Sequence, residues 1–160
     1  TAPELNIGFE ANIPADYIQE DRERLNYYKA ISSSGSREEL EQWRDELKDR
    51  FGAPPEPVLN LFAVLGLKRQ LARLQVEKAE LLSNRVILTW SQNAQPVSSQ
   101  QMVEWVQRHQ DRTRFEPPAR LELRFAGNSS IAEEIRQIEE LLSELASAAN
   151  APEEQRDTTH

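Results

Sequence analysis

Leu5, Ile7, Phe9 and Ala11 alternate with Glu4, Asn6, Gly8 and Glu10. A period of two predicts a half-buried strand, ended near Pro14 because proline cannot donate to a ladder. The period then lengthens. Ile18, Leu25, Tyr28 and Ile31 recur at helical spacing, and Ser32-Ser33-Ser34-Gly35 breaks that helix. Ser36 followed by Glu39 is a capping-box signature, so a second helix starts there. Its apolar stripe is Leu40, Trp43, Leu47 and Phe51, and Gly52 stands where a helix usually reverses its backbone. Pro54, Pro55 and Pro57 make a stiff corner. The third helix, from about Glu56 to Leu74, carries Val58, Leu59, Leu61, Phe62, Val64 and Leu65 on most of its sides, which predicts a buried element.

Two strand candidates come next, Val76–Leu82 and Arg85–Trp90, joined by Ser83-Asn84. Ser98 with Gln101 caps a short helix bearing Met102, Val103 and Val106. The stretch up to Pro117-Pro118 reads as a loop. Leu121, Leu123 and Phe125 then alternate with Arg120, Glu122 and Arg124, a strand pattern. Ser130 with Glu133 caps a last helix with the stripe Ile131, Ile135, Ile138, Leu142 and Leu145. The order is β-ααα-ββ-α-β-α. That predicts an α+β fold: an N-terminal strand, three consecutive helices, and a small β-sheet with two further helices.

The 160 residues suit one domain, placed at 1–149, with 150–160 as a mobile tail because large apolar residues are lacking there. Thr1 is not an initiator residue, which points to a segment of a longer chain. The net charge of −8 argues against broad binding to nucleic acid or anionic membrane by the whole domain. The charge is uneven, however. Residues 1–52 carry −5, residues 53–127 carry +3, and residues 128–160 carry −6. The longest apolar stretch, Leu61–Leu67, is far shorter than the roughly 20 residues of a membrane span. No basic flank leads into an apolar run at the N-terminus, so the expected location is cytoplasmic.

Catalytic signatures are missing. Cysteine is absent, which excludes disulfides, thiolate zinc sites and a cysteine nucleophile. The five glycines form no phosphate-cradling loop. His109 stands without a second ligand at metal spacing and reads as a solvent-facing residue at a helix end. No metal site is expected. Two charged features remain. Lys68, Arg69 and Arg73 lie late in the third helix, where the helix dipole favours cations, with Arg112, Arg114, Arg120 and Arg124 further on. Together they make the alternative of a nucleic-acid contact domain. Arg120 and Arg124 face outward on their strand, where charge deters edge pairing. The second helix carries Glu38, Glu41, Gln42, Asp45, Glu46 and Asp49 on or toward the side opposite its apolar stripe. That is an acidic face on a well-capped rod. It is either an ordinary solvated surface or a docking surface for a basic partner.

Two stretches carry a family resemblance. One is Ile13-Pro14-Ala15-Asp16-Tyr17-Ile18 with Arg24-Leu25 and Tyr28-Lys29. The other is Glu46-Leu47-Lys48-Asp49-Arg50-Phe51-Gly52 with Pro55 and the helix to Leu74 that contains Leu67-Lys68. In order and spacing, over roughly residues 5–80, the chain resembles the C-terminal domain of bacterial transcription-repair coupling factors. Gln19 and Gln75 depart from the family pattern, which usually has proline and often glycine at these places. The resemblance implies a parent ATP-driven DNA translocase that removes stalled RNA polymerase and recruits excision repair through UvrA. ATP and Mg would belong to its motor, as would DNA contact, with no cofactor in this chain and no catalytic residue. The domain itself is implied to be regulatory: it packs on an N-terminal UvrB-like module and hides the UvrA-binding surface. Glu46 and Asp49 are the implied contact residues, with Asp45 and Glu38 beside them on the same acidic face. Arg50 and Phe51 are read as turned toward the core.

Overall fold

The computed structural model describes residues 2–158 apart from Gln95, with side chains described as far as Ala149. Among the described residues, five strands and five helices run in the order β1 (Glu4–Ile7), α1 (Asp21–Ser32), α2 (Arg37–Phe51), α3 (Glu56–Arg73), β2 (Lys78–Leu81), β3 (Arg85–Thr89), α4 (Ser99–Arg108), β4 (Thr113–Glu116), β5 (Arg120–Arg124) and α5 (Ile131–Thr158). This is an α+β fold. The chain divides into two units, one of Glu10–Gly66 and the other of Thr1–Phe9 with Leu67–His160, so the division falls within α3. The expected tail at 150–160 lies where side chains are outside the described residues.

The helical unit is built on the contact of α1 with α2. Ile18, Tyr27, Ile31, Leu40, Leu47, Val58, Leu61 and Phe62 are buried together, with Tyr17, Trp43, Phe51 and Leu65 packed at the margin. Spacing alone turns Leu25 and Tyr28 inward. The structure places them outward instead, 50% and 44% exposed, and buries Tyr27 and Ile31. A step of 100° per residue explains the exchange. Tyr27 and Ile31 fall about 40° apart on α1, whereas Leu25 lies about 160° from Tyr27. Ile18 is buried ahead of the helix, in the turn after Pro14.

The Ser36 cap of α2 forms as its sequence predicts, while Glu39 reaches one residue further back than a capping box requires. Ser36 Oγ accepts the Glu39 N–H at 3.1 Å, and Glu39 in turn accepts the Gly35 N–H at 2.8 Å. At the other end the chain reverses at Gly52, whose φ of +88° suits a residue without Cβ. Two C-terminal carbonyls there have a shared donor. The Tyr17 hydroxyl reaches Leu47 O at 3.1 Å and Gly52 O at 2.8 Å. Burial pushes the Tyr17 phenol above its ordinary pKa, which keeps it a donor.

In the second unit a five-stranded sheet has the order β1-β2-β3-β5-β4. β1 runs parallel to β2 and the other pairs are antiparallel. Ala79, Leu81, Val86, Leu88, Leu121, Leu123 and Thr113 share one buried face. The other face carries Lys78, Glu80, Arg120, Glu122 and Arg124 around the buried Ile87. β1 is shorter than the alternation predicts. Ile7 is 41% exposed, so only Leu5 of its four residues is partly buried.

β4 occupies part of the stretch read as a loop. Its four residues alternate Thr113 and Phe115 with Arg114 and Glu116, too short a run to register as a period. With β4 paired to its far side, β5 is an interior strand, so Arg120 and Arg124 guard no edge. On α4 the buried residues are Met102 and Trp105, while Val103 is 47% exposed. The helix is tied to α5 by Gln101 Nε2, which donates to Ala148 O at 2.9 Å. His109 closes α4 as expected but is half-buried. Its ring lies 5.0 Å from that of Trp105, and its Nε2 is 3.4 Å from Glu144.

Gln75 has φ +58°, a left-handed conformation that costs a residue with a side chain about 1–2 kcal/mol. Glycine adopts it freely but loses more chain entropy on folding. Gln75→Gly is therefore expected to raise stability by about 0.5–1 kcal/mol, read from urea unfolding midpoints. A lower midpoint would show that Gln75 holds the turn by its side chain.

Candidate functional site

Helix α2 places its charges by simple geometry. Leu40 and Leu47 are buried. Glu38, Asp45 and Asp49 point within about 20° of the direction opposite Leu47, and Glu46 sits about 80° round from it. All four carboxylates are exposed. Among the described residues, Glu38, Asp45, Glu46 and Asp49 enter no ion pair. Gln42, Asp45, Glu46, Asp49 and Arg50 line a shallow open groove, with Glu38 about two turns nearer the N-terminus. The structure thus gathers three of the four predicted acidic residues into one strip.

Arg50 differs from the sequence expectation. Rather than turning to the core, its side chain stays 54% exposed on the rim of the groove. It reaches across to α1, where Nη1 donates to the Tyr27 hydroxyl at 2.7 Å and Nη2 to Glu23 at 2.8 Å. The guanidinium also lies 5.2 Å from the Phe51 ring centre and 5.9 Å from that of Tyr27. Tyr27 packs edge-on to Trp43 and Phe51. Burial lifts the Tyr27 phenol above its usual pKa; the Arg50 hydrogen bond works against this, and Glu46, close to the same hydroxyl, adds to it. Arg50 is held more firmly protonated, first by Tyr27 and then by Glu23. Glu23 and Tyr27 are site residues that sequence reasoning passed over. The signal available was their spacing of four, matched by Glu46 and Arg50 on the facing helix.

The basic residues are arranged differently. Lys68 and Arg69 are half-buried on the last part of α3, and Arg73 is exposed with its guanidinium donating to Gln70 at 3.1 Å. Three sheet arginines face carboxylates, Arg120 with Glu116 at 3.0 Å, Arg85 with Glu122 at 3.6 Å and Arg114 with Glu116 at 3.8 Å, while Arg124 donates to the Asp111 carbonyl at 3.1 Å. Arg112 turns to the buried Glu134 at 3.7 Å. Among the described residues no group of three or more metal-ligating side chains occurs. No described helix is long and apolar enough to cross a membrane.

Comparison with solved structures gives the class of fold first. The crystal structure of a C-terminal domain of transcription-repair coupling factor matches with a TM-score of 0.71 at 21% identity, covering 92% of this chain and 97% of that one. The TRCF domain family model matches residues 7–102. The chain belongs to the TRCF domain family. Its relatives include transcription-repair-coupling factors of Escherichia coli strain K12, 35% identical over 77 residues, or 48% of this chain. That of Myxococcus xanthus is 27% identical over 147 residues, or 92% of this chain. That of Rickettsia prowazekii is 24% identical over 119 residues, or 74%. The chain covers 7%, 12% and 10% of those proteins respectively, about a tenth of their length.

Proposed function

We propose that this domain is a releasable regulatory lid of a transcription-repair coupling factor. The acidic strip of α2, with Glu46 and Asp49 at its centre and Asp45 and Glu38 beside them, docks on a basic surface of the parent's N-terminal UvrB-like module. While docked, it masks the surface that recruits UvrA. Engagement of RNA polymerase by the ATP-driven motor then releases it. One observation carries this reading: the four carboxylates are exposed and, among the described residues, outside any ion pair, on a helix seated by Leu40 and Leu47. An ordinary surface would gain from internal counter-ions at helix spacing; here the charge is left for a partner.

The affinity required is modest. A tethered domain meets its partner at an effective concentration of about 1 mM. Remaining about 99% closed then needs a dissociation constant of only about 10 μM, or roughly 7 kcal/mol. A small polar interface supplies that and still opens.

Glu46→Lys combined with Asp49→Lys is expected to weaken docking of this domain on the UvrB-like module at least tenfold, an effect of about 1.4 kcal/mol or more. Wild-type docking should also weaken as salt rises. Isothermal titration at two ionic strengths reads both, with circular dichroism to check that the fold survives. Equal affinity of the wild-type and reversed domains would overturn the proposal.

A further inference from the structure

Glu46 and Arg50 stand four residues apart on α2 with the acid nearer the N-terminus, the spacing and polarity that favour a helix ion pair. They do not form one. Arg50 is drawn away by two groups on α1, the Glu23 carboxylate at 2.8 Å and the Tyr27 hydroxyl at 2.7 Å. The hydroxyl accepts from Arg50. Arg50 thus bridges from α2 to both Glu23 and Tyr27 on α1. Arg50 is long and 54% exposed, and without Glu23 only the neutral Tyr27 hydroxyl and the ring contacts keep it on α1, in competition with the Glu46 charge one turn away on its own helix.

We propose that Glu23 is a positioning residue for the docking strip: by holding Arg50 on α1, it keeps Glu46 unneutralised and open to the partner. Glu23 lies on the other helix and needs no contact with the partner. Its effect passes wholly through Arg50. This rests on the docking role of α2 proposed above and names what keeps that face available.

The consequence is a coupling that added charges do not predict: the loss of one negative charge would by itself weaken docking equally with or without Arg50. Glu23→Gln leaves the carboxylates of the strip intact, yet it releases Arg50 onto Glu46. Docking on the UvrB-like module is expected to weaken by about twofold to fivefold, the size of one exposed ion pair. Removing the released cation as well, in Glu23→Gln/Arg50→Gln, is expected to restore affinity to the wild-type value or above it. A purely structural role for the Glu23–Arg50 bridge predicts the opposite, a double variant no better than Glu23→Gln.

The test is calorimetric titration of the four chains: wild type, Glu23→Gln, Arg50→Gln and the double variant. Thermal melts confirm that each is folded, and Glu23→Asp replaces Glu23→Gln if the latter is not, with a shorter acid predicted to hold Arg50 less well. Weakening by Glu23→Gln in the wild-type background, with no further change when it is added to Arg50→Gln, establishes the idea; an equal effect in both backgrounds, as added charges alone predict, overturns it. An unchanged Glu23→Gln, or a double variant as weak as the single, overturns it. The charge reversal at Glu46 and Asp49 separates the two layers. If that reversal leaves docking unchanged, the docking role itself fails; if it abolishes docking while the double variant shows no recovery, only the role of Glu23 fails.

Discussion

Leu47→Ala is expected to destabilise the helical unit by about 3 kcal/mol, within the roughly 2–5 kcal/mol range for truncating a buried leucine. Leu47 is fully buried at the centre of the stripe that seats α2. Truncation removes its transfer energy and leaves a cavity. The neighbours are poorly placed to fill that cavity. Tyr17 is fixed by hydrogen bonds to Leu47 O and Gly52 O, and Tyr27 is held by Arg50. Both are wedged against other rings, Tyr17 on Phe51 at 5.8 Å and Tyr27 on Trp43 at 6.0 Å. A site that does not collapse bears the full cavity cost. The control is Leu25→Ala, which the structure puts half in solvent and which should change stability by no more than about 0.5 kcal/mol. Urea unfolding followed by far-UV circular dichroism and tryptophan fluorescence measures both. Equal losses in the two variants would mean that α1 and α2 do not meet as described.

Arg112→Met should cost the sheet unit about 3 kcal/mol, at the lower end of the range for losing one member of a buried ion pair. Its partner Glu134 is only 1% exposed, on the first turn of α5. One oxygen of that carboxylate accepts the Gly127 N–H at 2.6 Å, where φ of +87° turns the chain into the helix. The other oxygen faces Arg112 at 3.7 Å. Without the guanidinium, a desolvated carboxylate keeps a single backbone donor. Arg112 is itself anchored to Arg124 O and Gln137, so some of the loss is in those hydrogen bonds. The double variant Arg112→Met/Glu134→Leu should recover much of the deficit, because an apolar pair avoids the desolvation that the charges suffer. Thermal melts of the two variants decide this. A double variant as unstable as the single would place the cost in the lost Arg112 hydrogen bonds instead.

The legible parts of the fold were those set by near neighbours. Ser36, Ser98 and Ser130 each accept the N–H three residues on, as their capping patterns predict. The alternation in 120–124 is a strand with Leu121 and Leu123 inward. The missed pieces depend on partners distant in sequence. β4 is four residues whose pairing with β5 makes it a strand. The face of α1 was misread because Tyr27 and Tyr28 are adjacent, and chain order does not tell which tyrosine meets α2. On α4, Trp105 outranks Val103 inside because α5 covers that side, tied by Gln101 to Ala148.

The candidate site divides in the same way. The acidic strip was readable because a helix turns by a constant angle, so position 47 buried dictates positions 45 and 49 exposed. Sequence alone therefore determined where the charges of α2 point. Which of them stays open was decided only by the packing of α1 on α2. That packing brings Glu23 within 2.8 Å of Arg50 across 27 residues of chain. An ion pair depends on distance in space, and helical periodicity carries no information about the distance from one helix to the next.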